Sequence, residues 1–114
     1  MTQHNRRTGV DGEELAAAWY RSRGYEVIER NWRCRDGELD LVVRQGRQVV
    51  FCEVKHRRSV AFGTPAESIT SEKKQRIRFL AARWLQDAKP RPAEIRFDVA
   101  AVLDGDVEVL VGAF

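Results

Sequence analysis

The sequence predicts one α/β domain, a mixed sheet of four to five strands flanked by helices, and three observations carry that prediction. Glu38–Lys55 (ELDLVVRQGRQVVFCEVK) holds two apolar runs about a turn glycine, the pattern of a β-hairpin. Residues 11–23 and 71–87 instead space their apolar side chains as a helix does, each behind a capping signal. The second helical window lies between strand-like stretches, so the strands on either side of it are expected to pair in parallel across a right-handed crossover. With 114 residues there is room for one hydrophobic core and not for two. Residues 11–114 are assigned to that domain, and the polar residues 1–10 to a flexible N-terminal segment.

Asp11-x-x-Glu14 resembles a capping box, opening a helix that runs to about Arg23, where Gly24 stops it. On a helical wheel Leu15, Ala18 and Trp19 form the expected core face, and Glu14 and Arg21 share a polar face. Glu13 lies beside Ala16, Ala17 and Tyr20, along a face of small residues. Tyr25–Arg33 reads as the first strand and residues 34–37 as a turn, after which the hairpin about Gly46 completes a three-strand meander. The stretch HRRSVAFGTPAES that follows has no periodicity and reads as a long loop. Thr70 or Ser71 caps the second helix, which ends near Asp87 ahead of Pro90 and buries Ile77, Leu80, Ala81, Trp84 and Leu85. Glu94–Val102 is the fourth strand, and Asp104–Gly105 turns into a last one, Val107–Val111.

Charged residues make up 32% of the chain and hydrophobic residues 43%, the balance of a folded soluble domain rather than a disordered one. No apolar run reaches membrane-spanning length, and the start MTQHNRRTGVDGEE lacks the apolar centre of a secretory signal. Cys34 and Cys52 show neither a CxxC pair nor a His/Cys metal spacing, so reduced thiols in the cytoplasm are expected and a zinc site is not. The net charge of +3 is gathered at Arg6–Arg7, at Arg57–Arg58 and at Lys73, Lys74, Arg76 and Arg78. Such clusters favour phosphate-rich partners, although a solvated face produces the same runs.

Two acids and a lysine stand on strands otherwise built for burial. Side chains alternate along a strand, so hairpin pairing brings Asp40 beside Glu53, with Lys55 on the face of Glu53. Burying such charges is costly unless they are paired or bind a metal. Asp40 and Glu53, helped by a backbone carbonyl such as that of Val54, make the oxygen donor set that Mg²⁺ takes together with water and phosphate. Lys55 would orient or deprotonate the attacking water, or stabilise charge growing on the phosphate. Glu13 could reach the pair as a further ligand, though a first-turn acid is also favoured by the helix dipole. Lys73 and Lys74 open the helix that follows Lys55 and are aimed at the same end of the sheet, while Gln75 projects from the opposite face. Arg57, Arg58 and Thr64 are the phosphate donors offered by the loop. A salt-bridged cross-strand cluster gives the same string of residues without any metal. Asp98, a lone acid in an apolar strand, reads as a satisfied structural acid, and neither His4 nor His56 is cast as a catalytic base.

Helix, three strands, helix and strand, with Asp40 and Glu53-x-Lys55 on the second and third strands, resembles the core of the PD-(D/E)XK nuclease superfamily, the restriction-endonuclease-like fold. The chain is similar to the bacterial YraN-like family along almost its whole length. That similarity is carried by GEELA (12–16), RGYEVIERNWR (23–33), GELDLVV (37–43), VFCEVKHRRS (50–59), FGTPAESI (62–69), KKQRI (73–77) and RFDVAAV (96–102). The resemblance implies an αβββαβ core, Asp40 and Glu53 as metal ligands, Lys55 as the catalytic lysine and Glu13 as the helix-one glutamate. It places the basic or amide position of the second helix at Lys74 or Gln75, of which the helical wheel favours Lys74 for substrate contact. Leu39 stands where the superfamily's name has proline, a position that varies widely.

The expectation is therefore a nucleic-acid-binding, Mg²⁺- or Mn²⁺-dependent nuclease that hydrolyses phosphodiester bonds, in DNA rather than RNA. The alternative from another class is a non-catalytic module that holds structured nucleic acid or docks into a DNA repair or replication assembly. A third is a domain whose charged strands form salt bridges only. With few exposed aromatics, recognition is expected to rest on shape and phosphate, not base sequence. A homodimer or a protein partner is compatible with so small a domain, since cutting both strands together needs a second site.

Overall fold

In the computed structural model the described residues are 2–57 and 69–114, with side chains from residue 12 onward. Five strands, β1 (Glu26–Cys34), β2 (Gly37–Gln45), β3 (Gln48–His56), β4 (Glu94–Leu103) and β5 (Asp106–Leu110), lie side by side in chain order. The first three form the antiparallel meander, β3 and β4 pair in parallel, and β4 turns back antiparallel into β5. Helix α1 (Thr2–Arg21) packs on one face of the sheet and α2 (Ser71–Gln86) on the other. The result is the αβββαβ core with β5 added at its edge. Because both faces are covered, β2 and β3 carry unbroken buried runs, Leu41–Val43 and Val49–Cys52, where one-sided strands would alternate. Among the described residues no helix is long and apolar enough to cross a membrane.

Helix α2 follows its sequence signals. Thr70 accepts the Lys73 amide at 3.1 Å as N-cap, and Ile77, Leu80 and Ala81 are buried, with Trp84 and Leu85 packed against them.

Helix α1 departs from expectation in two ways. It begins at Thr2, so Asp11 stands inside it and the Asp11–Glu14 pattern is not its N-cap. The same spacing recurs within helices, and nothing in TQHNRRTGV forbids helix strongly enough to stop it upstream. The core face is also not Leu15, Ala18 and Trp19: Ala16, Ala17 and Tyr20 are fully buried, whereas Ala18 is exposed and Leu15 and Trp19 are partly so. Small side chains let the helix lie close to the sheet, and Gly12 continues that close approach, since a Cβ there would run into the His56 ring. Trp19 is shielded instead by the Arg23 guanidinium, 3.8 Å from its ring centre.

Close approach serves Asp98, the one fully buried acid among the described residues. Asp98 is 0% exposed and accepts four hydrogen bonds, from Tyr20 Oη (2.6 Å), from Arg96 Nε and Nη2 (2.9 Å each) and from the Gly112 amide (2.9 Å). Burial, together with Asp98 beside it, raises the Tyr20 hydroxyl above the usual tyrosine range, so it stays a donor. Asp98 is thus the satisfied structural acid its setting in the sequence suggests.

A carboxylate pair where two strands part

The β2–β3 ladder runs from Gln45↔Gln48 to Leu41↔Cys52 and stops there, while β3 stays paired with β4 as far as His56↔Val102. Beyond Cys52, β3 therefore has a free edge toward β2, and Asp40 fills it with its side chain: Oδ2 accepts the Val54 amide at 2.9 Å. It is the Val54 amide that ties Asp40 to β3. Glu53 projects to the α2 side of the sheet, the side of Val49 and Phe51.

A second irregularity turns Asp40 toward this edge. Residues two apart on a strand share a face, yet Arg30 reaches Glu14 of α1 whereas Trp32 packs in the cluster under α2. Opposite them, Leu41 belongs to the α1-side cluster and Leu39 to the α2-side one. The pairs Arg30↔Leu41 and Trp32↔Leu39 set Asn31 opposite Asp40, and Asn31 has φ 51°, in the left-handed region that asparagine tolerates. Both strands thus change face at Asn31 and Asp40. Asn31 also donates from Nδ2 to Glu13 Oε1 at 3.0 Å, holding that carboxylate on the inner side of α1 beside the buried Ala16 and Ala17. Asn31 had no role in the sequence reading; a weak strand former in the middle of EVIERNWRC was the available signal.

The site is electrostatically strained. Burial first, then the charge of Glu53, push the Asp40 carboxyl up to about 7 against the Val54 hydrogen bond; sharing of a proton with Glu53 and the charge of Glu13 add to this. Glu53, its side chain only 11% exposed, is paired with Lys73 Nζ at 3.0 Å. Of the lysines at the start of α2 it is Lys73 that reaches Glu53; Lys74 is half-buried and Gln75 exposed. Lys55 is exposed on β3 two residues beyond Glu53. The Arg57 amide bonds the Val102 carbonyl at 2.8 Å, while Arg58 and Thr64 lie outside the described residues.

The donors suit a hard, oxygen-seeking divalent ion: two adjacent carboxylates, with Cys52 turned to the opposite face and its thiol raised by burial. Among the described residues no group of three or more His, Cys, Asp and Glu could hold a metal unaided. The rest of a coordination shell would have to come from water and phosphate, as Mg²⁺ commonly has it.

A family model described as "Uncharacterised protein family UPF0102" matches residues 12–102, a span that holds Glu13, Asp40, Glu53, Lys55 and Lys73. The chain is 55% identical to a UPF0102 protein of Beutenbergia cavernae, over 83% of this chain and 80% of the relative. A UPF0102 protein of Rhodococcus opacus is 47% identical, with 90% and 86% of the two chains covered. One from Moorella thermoacetica is 47% identical over the full length of both. From Gly12 in the close-packed first helix to Val102 at the end of β4, the chain belongs to the YraN-like UPF0102 family.

Proposed function

We propose that this chain is a divalent-metal-dependent phosphodiesterase acting on nucleic acid, DNA in preference to RNA. The observation that carries the reading is the pair Asp40 and Glu53, pressed together where the β2–β3 ladder ends, whose mutual repulsion a divalent cation would relieve. Asp40 and Glu53 would hold Mg²⁺ or Mn²⁺, with Glu13 as an outlying carboxylate. Such an ion, when bound, activates water and offsets charge developing at phosphorus. Lys55, on the strand face of Glu53, would orient the attacking water or stabilise the phosphate charge. Lys73, released from Glu53, would hold a phosphate oxygen beside the first turn of α2. Nothing in this arrangement reads bases, so selection among substrates would rest on shape and phosphate.

The test is incubation with duplex, single-stranded, flap and four-way-junction DNA and one structured RNA, in Mg²⁺, Mn²⁺ or chelator, beside Asp40→Ala and Lys55→Ala. Metal-dependent cleavage lost in both variants is expected; cleavage retained by Asp40→Ala overturns the reading.

The Lys73–Glu53 ion pair favours a second reading, because it already compensates one acid without any metal. A non-cutting module of this kind would bind nucleic acid with steep salt dependence, unchanged by chelator or by Asp40→Ala.

A further inference from the structure

A recess of about 390 Å³ opens at the other end of α2, between the last turn of the helix and the edge strand β1. Trp32 and Trp84 line it with Ile28 and Ala88, and Glu29, Arg44, Asp87 and Lys89 bring charge of both signs. That volume lies in the range of small-ligand sites, and the lining mixes two indole residues with charges of both signs.

The polar and aromatic groups are held in place. Trp84 packs edge-on against Phe51, ring centres 5.6 Å apart at 84°, and its Nε1 donates to Glu29 Oε1 at 3.5 Å. Arg44 is pinned by its Nε to the Gly46 carbonyl at 3.2 Å and by Nη2 to the Pro90 carbonyl at 2.8 Å. A ligand that matches this wall is flat and aromatic, donates from its edge to a carboxylate, and carries an anion within reach of Lys89. A nucleotide has all three: a base for the indoles, ring or exocyclic N–H groups for Glu29, and a phosphate for the lysine.

We propose that this recess is a nucleotide subsite that stacks one unpaired base of a bound nucleic acid on Trp32 and Trp84. The proposal rests on nucleic acid being the partner, as argued above, but not on cleavage. Trp84 stands eleven residues beyond Lys73 on α2, about 17 Å along the helix. A substrate engaging both ends would need an unpaired base about five base steps from the phosphodiester at the acids, taking about 3.4 Å per step. Blunt duplex lacks such a base, so the recess would make the protein selective for single strands, overhangs and flaps.

Binding is measured with chelator present, by fluorescence polarisation of a labelled short single strand, an overhang duplex and a blunt duplex, with tryptophan quenching as a second readout. Trp84→Leu removes a stacking face; Lys89→Glu, at an exposed position, leaves the core untouched and decides the matter if the first variant fails to fold. Each variant is expected to weaken single-strand and overhang binding roughly ten-fold and to leave blunt duplex unchanged. Unchanged single-strand binding in Lys89→Glu, or equal losses on blunt duplex, overturns the subsite while the nucleic-acid reading stands. If wild-type protein binds none of the three, both fall.

Discussion

Asp40 Oδ2 accepts the Val54 amide at 2.9 Å where β2 and β3 part, so a carboxylate replaces the strand-to-strand hydrogen bond that its own position interrupts. Asp40 is pushed from 3.8 to about 7 by burial and by Glu53. The folded state therefore holds this proton more tightly than the unfolded chain does. The metal-free protein should lose stability as pH rises through the window between those values and recover none of it above, the reverse of a salt-bridged carboxylate. Asp40→Asn mimics the protonated acid and can still accept from Val54. In chelator it should melt roughly 5 °C above wild type at about pH 8 and level with it near pH 4. Mg²⁺ should raise the wild-type midpoint alone. A gap that does not change with pH would mean that Asp40 is not strained.

Lys73 occupies the position of counter-ion to Glu53, and a divalent ion would have to displace it. Because the lysine side chain is 48% exposed, the pair is worth at most about 1 kcal/mol. Lys73→Met should then tighten Mn²⁺ binding by up to roughly five-fold in calorimetry and weaken oligonucleotide binding in chelator. Unchanged Mn²⁺ affinity would show that the two cations do not compete.

Tyr20 ties α1 to β4 through Asp98, at 2.6 Å and across 78 residues of sequence. Tyr20→Phe keeps the ring that packs edge-on with Trp19 and Tyr25 but removes a donor from a buried carboxylate. Asp98 keeps Arg96 and Gly112, so the loss should be about 1.5–3 kcal/mol in urea denaturation, without loss of fold. A loss below about 0.5 kcal/mol would mean that the Arg96 fork alone satisfies the acid.

The strands, the stripe on α2 and the parallel crossover were legible because each rests on local periodicity or on a cap read within a few residues: Thr70, Gly46, and the run Ile77, Leu80, Ala81. The Asp40–Glu53 neighbourhood was legible for the same reason, since hairpin pairing fixes which residues meet. The inner face of α1 was not. Ranking by apolar bulk puts Leu15 and Trp19 inward, whereas close packing on the sheet selects Ala16 and Ala17, and Tyr20 is drawn in by an acid that lies on β4. The Lys73–Glu53 pair was not legible either: a wheel gives direction but not reach, and the partner, Glu53, is on another element. Asn31 escaped notice because its role depends on a change of face shared by two strands.

Lys55 stands two residues beyond Glu53, on the same face of β3, where the strand leaves the core and its side chain is exposed. A lysine so placed adds little to the hold on a cation, which it repels, and little to folding; its value would lie in charge that develops during reaction. Lys55→Met keeps the aliphatic stem and removes only the ammonium. Cleavage in saturating substrate should fall by about 10²–10³. Mn²⁺ affinity and the melting midpoint should stay near wild type, and oligonucleotide affinity in chelator within about two-fold. This separates two roles that a loss of activity alone would confuse. If oligonucleotide affinity falls as far as the rate does, Lys55 grips phosphate in the ground state and another group must manage the attacking water. If the rate alone falls, the ammonium acts on the transition state.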